Sequence, residues 1–215
     1  MEQEIVSSFF FNNVANTSTA NICEDFLNLV DELNLSLEQF KMPTKVDTVY
    51  NPTLYARHTF EMYVRKYCNT RKPILYFGMN PGPWGMSQTG VPFGEISLVR
   101  DWLGISGQVG KPPNEIKARP VLGFECSRSE ISGKRFWGLF QTLCGTPENF
   151  FSTSFVYNYL PQQWMTSSGR NLTPGDFKVL YLHHPSPRVV NNTNWEETAT
   201  ECLSKTNLLQ YYQQS

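Results

Sequence analysis

Apolar residues along the chain cluster into short runs and periodic stretches separated by polar, glycine- and proline-rich connections. From Asn21 onward Ile22, Phe26, Leu29, Val30 and Leu33 recur at helical spacing, which predicts an amphipathic helix. A second helix is expected after Pro52, with Tyr55, Met62, Tyr63 and Tyr67 turned toward the core. Ile74-Leu75-Tyr76-Phe77 is a short contiguous apolar run ending at glycine and predicts a strand. Ile96 to Leu103 reads as a short helix. Ser132 is placed to cap a helix from Gly133 to Cys144, stopped by Gly145. Phe150 to Tyr157 alternates polar and apolar and predicts a strand running into Asn158-Tyr159-Leu160-Pro161. Phe177 to Leu182 predicts another strand, and Trp195, Ala199, Cys202 and Leu203 a closing helix. Helices and strands alternate, so an α/β domain is expected over 21–215, preceded by a loose polar tail over 1–20.

One stretch resists this pattern. Pro161 to Asp176 contains two prolines, two glycines and no helical period. Parallel neighbours need a crossover of about a dozen residues or more, usually carrying a helix. Thr173-Pro174 looks like a helix start with no helix behind it.

The densest chemistry follows the first strand. Gly78-Met79-Asn80-Pro81-Gly82-Pro83-Trp84-Gly85 and its continuation to Gly94 form a tight loop at a strand's carboxyl end, where open α/β folds bind ligands. Asn80 sits in its first turn, hemmed in by residues with little freedom. His183-His184-Pro185-Ser186-Pro187-Arg188 follows a second apolar run. Two rigid strand-end loops, one with Asn and one with His, suggest a single site built from both.

Composition narrows the class. Hydrophobic residues make up 40% and aromatics 14% of 215 residues, enough for one sizeable core. No apolar run is long enough to span a bilayer, and Met1-Glu2-Gln3-Glu4 lacks the basic flank of a signal peptide. The five cysteines are scattered without a C-x-x-C pair, so neither a metal nor a cofactor is expected and a reduced intracellular protein is the simplest reading. No G-x-G-x-x-G follows the first strand, which sets aside a nucleotide-dependent dehydrogenase. The net charge of −1 hides an asymmetry: residues 1–50 hold eight acidic and two basic side chains, leaving the remainder basic. That excess allows a few phosphate contacts but does not by itself call for DNA.

The loop from Gly78 to Gly94, together with Val99-Arg100-Asp101-Trp102-Leu103-Gly104, Arg119-Pro120-Val121-Leu122-Gly123, Arg135-Phe136-Trp137-Gly138, Ser168-Gly169-Arg170-Asn171-Leu172-Thr173-Pro174 and His184-Pro185-Ser186-Pro187-Arg188, resembles the single-strand-selective monofunctional branch of the uracil-DNA glycosylase superfamily. The resemblance covers nearly everything from residue 20 onward. It implies a three-layer α/β/α fold with a mostly parallel central sheet. It also implies hydrolysis of the N-glycosidic bond of uracil, 5-hydroxymethyluracil and related oxidised pyrimidines in single- and double-stranded DNA. A monomer in the nucleus is the corresponding expectation, the address following from the substrate and not from any basic cluster. The chain departs from the family in two places. The block between Leu-Thr-Pro and His-Pro-Ser, which supplies a helix, a central strand and another helix, is absent, so the sheet is expected to lack one strand and its flanking helices. After Arg188 the family's Pro, Lys and Gly give way to Val189-Val190-Asn191-Asn192-Thr193-Asn194.

An enzyme of this kind must extrude its base or act on single strands. Phe93 can stack on the base as a flat wall. By the resemblance Asn158 reads the base edge, its amide offering a donor and an acceptor to uracil O4 and N3–H. His184 faces uracil O2 and stabilises the departing anion; such pre-placed donors are typically worth about 3–4 kcal/mol. His183 competes for that role, and a purely structural His184 is the bland alternative. Asn80 can hold the attacking water beneath C1′, sufficient where an oxocarbenium-like sugar needs only a weak nucleophile. The Met79–Met86 loop, including Gly82, lines the pocket near uracil C5. Pro185, Ser186, Pro187 and Arg188 are expected to press into the DNA, with Arg188 either a wedge or a plain phosphate contact. No lysine lies in these motifs, so no Schiff-base step is expected. The competing reading is a catalytically weak or inactive DNA- or abasic-site-binding remnant, whose incomplete sheet would expose apolar surface.

Overall fold

The computed structural model describes residues 21–172, 194–205 and 208–212. The tail over 1–20, the strand expected at 177–182 and the His-Pro-Ser-Pro-Arg segment lie outside the described residues.

Helix α1 (Ile22–Glu38) forms where the sequence period placed it, but its buried face is Cys23, Leu27 and Val30; of the positions expected there, Ile22 and Phe26 are only partly buried against the core and Leu29 is 61% exposed. It leans on α3 (Arg57–Tyr67), and the two are linked by ion pairs from Arg57 to Asp31 and from Arg65 to Glu24. Between them lie β1 (Thr48–Tyr50) and the single turn α2 (Pro52–Tyr55), whose Asn51 cap accepts from Thr53 N at 3.2 Å. Strand β2 (Ile74–Gly78) leads into α4 (Met86–Thr89) and a short π-helical turn over Leu98–Trp102. Then come α5 (Ile131–Cys144), α6 (Pro147–Thr153), β3 (Ser154–Asn158), β4 (Gln163–Met165), β5 (Asn171–Leu172) and α7 (Trp195–Lys205).

The architecture is mixed α/β. Strands β2 and β3 run parallel, in register from Ile74 opposite Ser154 to Gly78 opposite Asn158. Strands β1, β4 and β5 form a separate antiparallel sheet with β4 in the middle. One aromatic core joins the helices to the β2–β3 pair: Phe60, Tyr63, Phe136, Trp137, Phe140, Phe150 and Phe155 are buried together, and Tyr63 donates to the Val156 carbonyl at 2.8 Å. The thiols belong to this interior; burial pushes Cys68 up to about 11 and Cys144 up to about 12. None of the five cysteines is in a disulfide.

Three expectations need correction. Phe150 to Tyr157 is not one strand, because its first part is α6. Thr146 accepts from Asn149 N at 3.3 Å and Pro147 occupies the first turn, a start signal that outweighs the local alternation. Ser132 does not cap α5. The helix begins two residues earlier, at Ile131 behind Glu130, and the Ser132 hydroxyl donates to the Glu130 carboxylate at 2.9 Å. Finally, the awkward link after Leu160 is no bare crossover as far as Leu172. It makes β4, which pairs with β1, a short strand with no legible period of its own, and β5, which doubles back on β4.

Candidate active site

The parallel ladder ends at the loop that carries the candidate site residues. Past the last paired residues, Tyr159 N donates to Gly78 O at 2.8 Å and Leu160 N to Met79 O at 3.0 Å, so both chains leave the sheet edge together. This brings Asn158 beside Gly78, two residues short of Asn80. The glycine is required by close approach: a Cβ on Gly78 would lie 2.1 Å from Asn158 Oδ1 and 3.2 Å from Phe93 Cε2. Asn158 and Phe93, 65 positions apart in the chain, therefore meet over one backbone position.

Asn158 is only 3% exposed. Its Nδ2 lies 3.0 Å from the Met86 sulfur, a weak acceptor that leaves most of the amide's hydrogen-bonding capacity unspent. Phe93 stacks on Phe136 with centroids 4.5 Å apart and planes 9° from parallel. It holds φ at +51°, in the left-handed region, which costs a non-glycine residue on the order of 1 kcal/mol or more. Gly133 of α5 presses on the Phe93 carbonyl, 2.2 Å from where a Cβ would sit, and Trp137 donates to Pro92 O at 3.2 Å. The ring is thus set by α5 and not by its own loop.

Asn80 is half-buried, and its Nδ2 is shielded from solvent with no hydrogen-bond partner among the described residues. A buried amide donor left open costs about 1–3 kcal/mol, so a guest acceptor there would be welcome. Around it the loop is saturated. Gln88 is fully buried and makes four bonds: Nε2 to Pro83 O at 2.8 Å and Pro120 O at 2.9 Å, and Oε1 from Leu122 N at 2.8 Å and Gly123 N at 3.1 Å. Ser87 donates to Gln163 Oε1 at 2.7 Å, tying the loop to β4. Glu130 lies under Gly82, 2.5 Å from where a Cβ would project, and accepts from Trp84 N at 3.3 Å.

The structure therefore groups Phe93, Asn158 and Met86 at the ladder's end, with Met79 and Asn80 next along the chain and Gly82 clamped by Glu130. His184, Pro185, Ser186, Pro187 and Arg188 lie outside the described residues. Gln88, Glu130 and Gly133 were not singled out from the sequence. Their signal, a buried glutamine and a carboxylate serving a distant loop, exists only in three dimensions. Among the described residues no group of His, Cys, Asp and Glu is arranged to hold a metal ion.

Sequence comparison fits this geometry. Over 156 residues, 73% of the chain, it is 53% identical to a Rattus norvegicus single-strand selective monofunctional uracil-DNA glycosylase, 56% of which is matched. The chain is similar to uracil-DNA glycosylases. The Mus musculus and Bos taurus proteins of that name are each 52% identical over 74% of the chain, which covers 57% and 58% of them. The chain thus spans somewhat more than half the length of the curated relatives it matches. Among solved structures, Pedobacter heparinus SMUG2 aligns with a TM-score of 0.45 and 18% identity, covering 86% of this chain and 69% of its own. No family model matches the chain.

Proposed function

We propose that this protein is a monofunctional DNA glycosylase that hydrolyses the N-glycosidic bond of uracil in DNA and leaves an abasic site. The carrying observation is the convergence of the Asn158 amide and the Phe93 ring over Gly78, with the open Asn80 donor two residues further on. The similarity to the mammalian glycosylases supports the same reading.

In this account the extruded base stacks on Phe93, whose fixed orientation removes the cost of ordering it. Asn158 donates to O4 and accepts from N3–H, and cytosine, with the opposite pattern, leaves both groups unpaired. Asn80 orients the water beneath C1′, which attacks as the glycosidic bond breaks. His184 donates to O2 of the leaving base and carries its developing charge. Met79, Gly82 and Met86 form the wall near C5 and admit a 5-hydroxymethyl group, so oxidised pyrimidines are further substrates. Pro185, Ser186, Pro187 and Arg188 fill the space the base vacates. No cofactor enters the reaction. The finer fold belongs to this account too: three layers about a mostly parallel sheet, a reading supported by the parallel pairing of β2 with β3. So do a monomeric state and a nuclear address.

The test is direct. The purified chain, incubated with a single-stranded oligonucleotide holding one uracil, is expected to release the base and leave an alkali-labile site. An intact oligonucleotide at high enzyme, with the protein folded by circular dichroism, rejects the proposal.

One observation favours the second reading, a weakly active or inactive DNA-binding remnant. Leu75, Phe77 and Met79 are 49%, 56% and 39% exposed, and among the described residues β2 is paired on one side only. A broad, non-cooperative melt together with absent turnover would select that reading.

A further inference from the structure

Trp84 stands four residues beyond Asn80 on the same loop and is not used by the chemistry above. Two guanidinium groups lie over its ring: Arg128 Cζ is 4.5 Å and Arg119 Cζ 5.4 Å from the centroid. The three side chains come from separate parts of the sequence, and the backbone around each is fixed. Trp84 N donates to Glu130, two residues after Arg128. Gln88 bonds the carbonyls of Pro83 and Pro120, the neighbours of Trp84 and Arg119. Gly169, at φ +77°, leaves room for the Arg119 stem, whose Cγ lies 3.0 Å from where a Cβ would project.

The charge of this cluster is unspent. Among the described residues neither arginine pairs with a carboxylate. Arg119 donates through Nη1 to the Ala118 carbonyl, and its Nε is buried without a partner among the described residues. Arg128 is exposed. The nearby carboxylate, Glu130, is engaged by Ser132 and Trp84 N. An indole ring under two cations holds them in place while leaving their N–H forks open. Forks of that shape suit the oxygens of a phosphate, and two side by side suit a chain of phosphates better than one isolated anion.

We propose that Arg119, Trp84 and Arg128 form a phosphate clamp that grips the backbone of a single DNA strand beside the nucleotide held at Asn80 and Asn158. The identity of the strand rests on the glycosylase reading; the clamp itself is measurable without catalysis. The probe is an undamaged, fluorescently labelled single-stranded oligonucleotide, titrated with the full chain by anisotropy at several salt concentrations. Each lost phosphate contact lowers the slope of log affinity against log salt by about 0.7 for single strands. The R119A/R128A pair is therefore expected to lower it by about 1.4 and to weaken binding roughly tenfold at low salt. R128Q, on an exposed side chain, should lower it by about 0.7, and R128K should restore the slope. With a uracil substrate the loss should fall on KM more than on kcat. Unchanged affinity and slope in R128Q and in a folded R119A/R128A overturn the clamp, even where the parent chain releases uracil. A parent chain that binds the oligonucleotide but releases no uracil rejects the glycosylase reading, and a drop in slope with R128Q then still supports the clamp. A parent chain that does not bind single strands at low salt overturns the clamp.

Discussion

The loop after β2 and the exposed face of β2 itself are adjacent in sequence and opposite in character. In the loop almost every polar atom has a partner: Gln88 makes four bonds, Ser87 reaches β4, and Glu130 holds Trp84 from below. Among the described residues, Asn80 Nδ2 is the buried side-chain atom of this loop without a partner, and the proposed reaction gives it a substrate group or water to bind. On the strand, Leu75 and Phe77 face solvent although both are large and apolar. The site is therefore organised by its loop, by α5 behind Phe93 and by the single β2–β3 ladder. The open face of the strand contributes little to it. The geometry of the candidate site and the apolar cover are separable in this molecule, and each can be attacked alone.

The largest effect is expected from the exception in the loop. Asn80→Ala should lower kcat for uracil release by about 10²–10³-fold, the usual cost of one pre-placed polar group, with the melting temperature shifted little or upward. Equal turnover in the variant and the parent would remove Asn80 from the chemistry. Next is Gln88→Ala, which strands four backbone groups, Gly123 N among them buried and the others part-buried. A loss of about 3 kcal/mol in stability is expected, read as a fall of roughly 6–12 °C in a thermal melt. A change below about 2 °C would mean that the loop is not held by this side chain. The smallest effect is expected on the open face. Leu75→Thr with Phe77→Thr should change stability by no more than about 0.5 kcal/mol per site and leave turnover intact, while lowering self-association in sedimentation. A large loss of stability would show that this face is covered in solution.

The contrast also explains what could be read from sequence. Periodicity located α1, α3, β2 and α7 because each buries one face against a large core. It failed at 150–153, where a capping threonine and Pro147 decide for helix over a locally strand-like pattern. It failed again at β1, β4 and β5, which have only two or three residues each and pair with partners distant in the chain. In the candidate site, Asn80, Phe93 and Asn158 could be singled out because glycine and proline punctuate the loop and because the motif resembles a known family; the structure brings Phe93 and Asn158 together at Gly78. The residues that hold them, Gln88, Glu130 and Gly133, were not. Their roles depend on which distant backbone they touch, and no local period encodes that.

The account stands or falls on the amide poised over Gly78. Gly78→Ala places a methyl 2.1 Å from Asn158 Oδ1, the far end of a side chain that can swing aside. Uracil release from a single-stranded oligonucleotide, measured beside the thermal melt of the same variant, tests this directly. The account predicts a melting temperature within about 4 °C of the parent, a cost near 1 kcal/mol, with activity lower by tenfold or more. Full activity in a folded Gly78→Ala protein would contradict it, because the base-reading amide would then not be where the chemistry is.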